Sequence, residues 1–348
     1  MGRHANIAIF VPHLGCPRQC SFCEQRTITG QVREPGPEDV LSAADTAARS
    51  LKDCSEAEIA FFGGSFTAID RRYMLSLLEA AKLAVGRYGF KGVRCSTRPD
   101  AIDGEVLDIL KEHRVTAVEL GAQSMDDGVL TANRRGHTAG DTVKAAGLIR
   151  RAGLELGLQM MTGLYTDTDE KALETARELI ALGPVTARVY PTIVLPGTEL
   201  CRLYNEGLYR PQELSEAVEL CAKLLELFEG AGVSVIRMGL HPGQELEERM
   251  VAGPYHQAFR QLVESRRFLK RLLAGLGEPG EYRVAVNPRD ISTALGQGKE
   301  NLRRLKAEGY AVTFIQDESV PRSGVKVSST FLKVAGVLGA EPPSRRRP

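Results

Sequence analysis

The sequence predicts an α/β protein built on a parallel sheet, and three observations carry that prediction. From residue 6 onward, short β-branched runs alternate with longer amphipathic stretches, the pattern of repeated βα units. The short runs are almost continuously apolar, as strands of a covered sheet are. The segments that follow them, "HLGCPRQC", "GGSFT", "TRPD", "AQS" and "TGLY", are rich in Gly, Cys and polar groups. Unusual residues therefore collect beyond the C-terminal strand ends, the rim where parallel α/β folds bind ligands.

In chain order the strand candidates are "NIAIFVP", "EIAFFGG", "GVRCSTR", "TAVELGA", "ELGLQMM" and "TARVYPTIV". Between them, "DRRYMLSLLEAAKLAVGRYG" places Asp70 at an N-cap and Met74, Leu77, Leu78 and Leu83 at roughly helical spacing, with glycine as terminator. "TDEKALETARELIALG" repeats this grammar, with acids in its first turn and Gly183 closing it. A further strand, "VSVIRM" at 233–238, follows the helix "ELSEAVELCAKLLELFEGAG". Six consecutive βα units fit a doubly wound sheet or a barrel, complete or partial, and periodicity does not choose between them. After about residue 240 the chain turns helical and basic, with a Gly/Pro break at 275–280, and then reads strand "YRVAVN", helix "GKENLRRLKAEG" and strand "YAVTFIQD". This divides the sequence into a core over 1–240, a helical basic segment over 241–274 completing it, a small βαβ extension over 281–333 and a disordered tail over 334–348.

Of the 348 residues, 43% are hydrophobic and 26% charged, which is ordinary for a globular protein. A net charge of +1 points to no polyanionic partner by itself, so any nucleic-acid reading rests on local clusters. The apolar start is too short to span a bilayer and lacks a small-residue cleavage site, and no later run reaches 18 apolar residues. The expectation is a cytoplasmic protein with no membrane partner. Seven cysteines, four of them scattered singly (Cys54, Cys95, Cys201, Cys221), do not make a disulfide framework. Those four read as buried thiols.

The other three lie within eight residues, in "GCPRQCSFC". Closely spaced thiols bind metal, because thiolates are soft ligands that a short loop converges with little extra closure entropy. A structural zinc would take a fourth protein ligand, for which His13 is available. An iron–sulfur cluster with one iron left open accounts for three ligands directly. The spacing Cys16-x₃-Cys20-x₂-Cys23, with Phe22 before the last cysteine, resembles the signature of the radical S-adenosylmethionine (SAM) superfamily. That resemblance implies a [4Fe–4S] cluster on Cys16, Cys20 and Cys23, SAM chelated to the open iron, and reductive cleavage of SAM to methionine and a 5′-deoxyadenosyl radical. It also implies a partial (β/α)6 TIM-like barrel, here followed by a small basic C-terminal α/β extension.

By the same resemblance, "FFGGSFT" corresponds to the family's glycine motif, which places Gly63, Gly64, Ser65 and Phe66 at the SAM amino group. "STRPD" (96–100), "ELGAQSMDDGVLTANRRGHT" (119–138) and "RVYPTIVLPGTELCRLYNEGLYRP" (188–211) resemble the radical SAM core of the Elongator catalytic subunit. Coproporphyrinogen dehydrogenase shares parts of this pattern, which by position implies that Ser96, Gln123, Arg135 and Gln159 line the SAM site. Gln123 would hydrogen-bond ribose or carboxylate, and Arg135 would pair with the carboxylate. Ser96 stands where the pattern carries glutamate. Tyr190, at the end of the sixth strand, is the candidate to face substrate. Roughly 100 residues follow residue 240, too few for the acetyltransferase domain of the Elongator subunit, so acetyl-CoA chemistry is not implied.

Two late windows are basic, "AFRQLVESRRFLKR" with five basic residues against one acid and "KENLRRLKA" with four against one. They suit phosphate contacts, and "ALGQGKENLRRLKAEGYAVTF" resembles in outline a KH module, whose glycine loop clamps nucleic-acid backbone. The sequence therefore predicts radical chemistry on an RNA substrate, fed by a one-electron donor such as flavodoxin or ferredoxin. The alternatives are radical chemistry on a small molecule or peptide, and a non-catalytic RNA-binding protein in which the cysteines only anchor a metal.

Overall fold

The computed structural model describes residues 5–11, 20–24, 33–241 and 243–329. It divides into two units, residues 1–259 and 260–348.

In the first unit seven strands pair in chain order: β1 (Ala5–Val11), β2 (Ala57–Gly63), β3 (Gly92–Thr97), β4 (Val115–Gln123), β5 (Glu155–Thr162), β6 (Thr186–Pro191) and β7 (Ser234–Met238). Every neighbouring pair is parallel. This order settles what periodicity left open. A doubly wound sheet reverses its strand order at a switch point. Here the order never reverses, so right-handed crossovers stack all the connecting helices on one face and the sheet curls into an open half-barrel. The strand expected at 233–238 joins as β7.

The connecting helices begin and end where the sequence signals them. α1 (Pro37–Ser50) precedes β2, and α2 (Arg71–Tyr88) follows it, with Asp70 accepting from the Tyr73 N–H and Gly89 closing the last turn at φ 70°. α3 (Gly104–Glu112), α4 (Asp127–Ala132), α5 (Ala139–Arg151), α6 (Asp169–Ala181), α7 (Glu199–Asn205), α8 (Leu214–Gly230) and α9 (Gln244–Arg249) continue the series. Thr168 caps α6, and Gly183 just past it adopts φ 71°.

Strand alternation divides the sheet into two unlike faces. Val93, Cys95, Val118, Leu120, Leu156 and Leu158 are buried apolar residues. The intervening positions carry Glu58, Arg94, Ser96, Glu119, Gln159 and Arg188. Four of these form a buried ladder across β2, β3, β4 and β6. Arg94 donates through Nε and Nη2 to Glu58 Oε2 (3.0 and 2.8 Å) and through Nη1 to Glu119 Oε1 (3.2 Å). Arg188 grips the other side of Glu119, with Nη2 at 3.0 Å from Oε1 and Nε at 2.7 Å from Oε2. Two acids and two bases thus neutralise one another out of contact with water. Burial opposes the charge on Glu58, yet Arg94 and the Thr116 hydroxyl hold its carboxyl below the usual range.

The second unit takes up most of α10 (Phe259–Gly275), followed by β8 (Glu281–Val286), α11 (Ile291–Leu295), α12 (Glu300–Ala307), β9 (Ala311–Gln316) and β10 (Val325–Ser329). Its sheet runs β10-β8-β9, with β8 parallel to β9 and antiparallel to β10. Phe268, Leu269 and Leu272 of α10 pack with Val284, Val286, Ala294 and Leu305 in one core. The sequence reading placed 241–274 with the barrel, and this packing corrects it. The apolar stripe of α10 finds its partner in the second sheet, so the boundary falls at 259/260 and the Gly/Pro break at 275–280 is internal to the second unit. The strand β10 joins the expected βαβ unit, and the tail over 334–348 lies outside the described residues. No helix among the described residues is long and apolar enough to cross a membrane.

Removing one member of a buried ion network leaves its partners charged and unpaired, which costs about 3–5 kcal/mol. Arg94→Met strands Glu58 and half of Glu119, so a loss of that size is expected in the free energy of unfolding from urea titration. An unchanged midpoint and slope would show that the ladder does not hold the sheet.

Candidate active site

At the C-terminal mouth of the half-barrel lies a cavity of about 610 Å³. Residues from the same face of six strands reach it: Phe10, Phe62, Ser96, Glu119, Gln159 and Arg188 among them. Its rim is completed by Phe22, Cys23 and the segment from Leu240 to Leu246. That segment is held over the mouth by a short antiparallel bridge, Val194 to Ala252, and by Leu246 packing on Ile193 and Leu195.

The cysteine turn is built from two directions. Cys23 N–H donates to Cys20 O (3.1 Å), a tight turn that presents two thiols from one loop. Ser21, between them, donates through its backbone N–H to Asn133 O (3.1 Å) and through its hydroxyl to Asn133 Oδ1 (2.8 Å). Asn133 is fully buried and commits its own Nδ2 to Val129 O and Tyr165 O (2.8 and 2.9 Å). Leu200 N–H, in the first turn of α7, donates to Ser21 O (2.7 Å). Cys16 and His13 lie outside the described residues.

The glycine turn sits opposite. Gly63 adopts φ 110°, and a Cβ there would meet Val11 O at 2.8 Å, so only glycine lets β1 and the turn come this close. Gly64 N–H is bound to Val11 O (2.8 Å). Gly63 and Gly64 line the cavity, whereas Ser65 and Phe66 do not among its lining residues. Ser65 Oγ accepts from Arg98 N–H (3.1 Å) and shares a hydrogen bond with Thr97 (2.9 Å), bracing the end of β3. Phe66 is buried and stacked on Phe61 with ring centroids 4.4 Å apart. "GGSFT" thus splits into two residues that line the cavity and two that hold the turn.

Ser96, Gln123, Arg135, Gln159 and Tyr190 all reach the cavity. Gln123 stands at a β-bulge with φ 67°, a conformation rare for a residue with a side chain, and Gln159 Nε2 donates to its Oε1 (3.2 Å). The two amides so joined still offer a donor and an acceptor to a ligand. Arg135 Nη2 donates to Gly121 O (2.7 Å) and its Nη1 to Cys20 Sγ (3.1 Å). Tyr190 sits beside Arg188, whose Nη1 donates to the phenol oxygen at 3.4 Å.

Sequence reasoning missed Glu119, Arg188, Asn133 and the pair Phe10 and Phe62. Glu119, Asn133 and Arg188 fall inside the quoted motifs, but a charge in an apolar strand gives no sign of which face it takes. Arg188 lies over the Phe62 ring at 4.6 Å from its centroid, a cation–π contact on the cavity wall. Of the single cysteines, Cys95 and Cys221 are buried as expected, and burial pushes the Cys95 thiol up to about 12. Cys54 and Cys201 are half-buried instead.

These features fit a thiolate-bound cluster and a small organic ligand. The loop presents soft donors, the opposite turn presents carbonyls, and Arg135 is a buried guanidinium whose Nε has no partner. Residues 10–179 match the model of the radical SAM superfamily, and residues 184–268 that of the radical SAM C-terminal domain. The chain belongs to the radical SAM superfamily, whose cofactors are a [4Fe–4S] cluster and SAM. It is 27% identical over 239 residues to the tRNA uridine(34) acetyltransferase of Dehalococcoides mccartyi, covering 59% of this chain and 52% of that protein. Elongator complex protein 3 of Homo sapiens is 31% identical over 139 residues, 39% of this chain and 25% of that protein. An N-terminally truncated archaeal Elp3 from Methanocaldococcus infernus shares the fold, with a TM-score of 0.61 at 19% identity over 80% of this chain and 64% of that one. The matched region spans between a quarter and about two thirds of the length of the curated relatives.

His137, on the same turn as Arg135, donates through Nε2 to Ala122 O (3.2 Å). Burial, and next the charge of Arg135, push its imidazole down to about 4. The unfolded chain takes up a proton near the ordinary value of 6.5, and the folded chain does so only near 4. Stability is therefore lost as pH falls from about 6.5 to 4, by roughly 2 kcal/mol between pH 7 and 5. His137→Gln, which keeps a donor for Ala122, is expected to shrink the pH 7 to pH 5 difference in unfolding free energy by about that amount. Parallel slopes for both proteins would rule out a neutral buried imidazole.

Proposed function

We propose that this chain holds a [4Fe–4S] cluster on Cys16, Cys20 and Cys23, cleaves SAM reductively and directs the resulting radical at a nucleotide of RNA. The observation that carries the reading is one cavity lined at once by Cys23, Gly63, Gly64, Gln123, Gln159 and Arg135. When bound, the cluster and SAM supply the electron transfer that releases methionine and a 5′-deoxyadenosyl radical. The protein's part is placement. Carbonyls of the glycine turn suit an ammonium group, and the Gln123–Gln159 pair suits ribose hydroxyls or a carboxylate. Phe10 and Phe62 keep water from the space between the two turns. Glu119, Arg188 and Tyr190 form the wall left for substrate, with the Tyr190 phenol the candidate to touch the reacting group. Electrons come from a one-electron donor of the flavodoxin or ferredoxin class.

Charge distribution supports RNA as the substrate. Residues 1–259 carry 28 Lys and Arg against 35 Asp and Glu, while residues 260–348 carry 17 against 9. A chain of net charge +1 is thus an acidic unit joined to a basic one, and the basic one suits a phosphate backbone. A cavity of about 610 Å³ admits a nucleotide but not a helix, so the target base is turned out of its stack or lies in a loop. Relatives named for tRNA modification agree with this reading.

After anaerobic reconstitution, wild-type protein is expected to be coloured and to release 5′-deoxyadenosine from SAM. Cys20→Ala abolishes both, and Cys54→Ala, outside the site, spares both. A colourless, zinc-loaded protein that releases none would leave the non-catalytic reading. For RNA, the fourfold reversal R283E/K299E/K306E/K326E changes exposed residues of the second unit. It is expected to weaken tRNA binding at least tenfold and to flatten its salt dependence, by about one in slope for each phosphate no longer neutralised. The control K52E/R72E/K111E/K144E makes the same change in net charge on exposed residues of the first unit, and its affinity is expected to stay within about threefold of wild type. Wild-type protein that retards neither tRNA nor rRNA at low salt, while still cleaving SAM, would move the substrate to a small molecule or peptide.

A further inference from the structure

Arg135 is the member of the site whose surroundings are least like those of the other buried arginines. Arg94 faces Glu58 and Glu119, Arg98 faces Asp100, and Arg188 faces Glu119. Arg135 has no carboxylate partner among the described residues, although only 7% of it is exposed. Its backbone is fixed from both sides. Arg135 N–H donates to Leu130 O (3.0 Å), and the flanking Arg134 and Gly136 have φ of 54° and 74°, so the chain reverses here and sends the side chain inward. One arm of the guanidinium is tied to Gly121 O, two residues before the bulged Gln123. The other arm donates to the sulfur of Cys20 at 3.1 Å, and Nε is enclosed with no acceptor.

A fixed cation sealed from water without a counter-ion is costly, so the working state must bring an anion to it. The family resemblance assigns that part to the SAM carboxylate. The geometry points to a nearer anion, the Cys20 thiolate, and we propose that Arg135 is a positioning residue for the iron–sulfur cluster that raises its reduction potential. The potentials of such clusters follow their net charge and the hydrogen bonds to their sulfurs. An added electron increases the negative charge borne by the ligating sulfurs. A guanidinium already donating to one of them, in surroundings of low dielectric, stabilises the reduced form more than the oxidised form. Through its bond to Gly121 the same side chain joins the cluster loop to the strand that carries Gln123, so cluster and ligand site share one support.

The test uses the full chain, anaerobically reconstituted, in four forms: wild type, R135M, R135Q and R134M. The cluster potential is read by EPR-monitored redox titration, iron and sulfide content by chemical analysis, and SAM affinity by equilibrium dialysis against the oxidised protein. R135M removes charge and donors at similar length. It is expected to lower the reduced-to-oxidised ratio at a fixed poise about tenfold, a shift of 59 mV to more negative potential for one electron. Its SAM affinity is expected to change less than threefold. R134M removes the neighbouring exposed arginine, which pairs with Glu199 at 3.2 Å, and is expected to leave the potential where it was. An unshifted potential in R135M with SAM affinity down tenfold or more overturns the proposal and returns Arg135 to the SAM carboxylate. Lowered iron content with an unshifted potential in the clusters that remain overturns it as well, leaving a role in loop structure alone. Should R135M hold no iron, R135Q, which keeps an N–H donor and drops the charge, decides by the same criterion.

Discussion

The structure depends on how a curled parallel sheet fills its inner face. A sheet whose strands follow one another in chain order receives all its helices on one side, and nothing in the connectivity covers the other. Large apolar side chains there would close the barrel into a solid core. Instead the inner face carries Glu58, Arg94, Glu119 and Arg188, bonded to one another across four strands. Long, directional and mutually neutral, these side chains occupy the floor near β2 and β3 and leave the C-terminal end open as a cavity. The ladder is therefore both the support of the sheet and the floor of the site.

Support from distant residues also governs the cysteine loop. Here its geometry is set by elements far along the chain. Asn133, at the end of α4, fixes Ser21 through two bonds, the start of α7 fixes the Ser21 carbonyl, and Arg135 reaches Cys20. Three of these contacts come from a single stretch, "ANRRGHT", where left-handed Arg134 closes α4 with the two bonds of a Schellman cap, Arg134 N–H to Thr131 O and Arg135 N–H to Leu130 O (both 3.0 Å). Ser21 and the Cys20 sulfur are thus held by residues more than 100 positions away.

Much of this was legible in the sequence. Element order, the cap at Asp70 and the strand at 233–238 follow from periodicity and turn chemistry; Gly63, Gly64, Ser96, Gln123 and Gln159, which the family resemblance implied, line the cavity, as does Tyr190 at the end of β6. What was not legible has a common cause: it depends on which way a side chain faces after the chain has folded. "GGSFT" does not say that Phe66 will stack on Phe61 while Gly64 lines the cavity. The amphipathic stripe of α10 does not say which of two sheets will receive it, so its assignment to the barrel failed on tertiary packing. Spacing also gives no measure of the distance from Arg135 to Cys20, 3.1 Å between Nη1 and Sγ.

Ser96 shows how a departure from a family pattern is absorbed by the fold. The resembling families carry glutamate at this point of β3, and a serine there would seem to remove a carboxylate from the cavity. Register in the sheet pairs Ser96 with Glu119 on β4, and the serine hydroxyl donates to Glu119 Oε2 at 3.3 Å. A carboxylate thus stands next to the vacated place, one strand over, on the same face. It is not equivalent, because Arg188 and Arg94 already hold it and a ligand would meet a neutralised group. The one hydroxyl proton of Ser96 is committed to Glu119, so toward the cavity Ser96 offers an accepting oxygen beside the Arg188 guanidinium. The wall that β3, β4 and β6 present to the cavity is therefore close to neutral, because its one carboxylate is shared between two guanidinium groups.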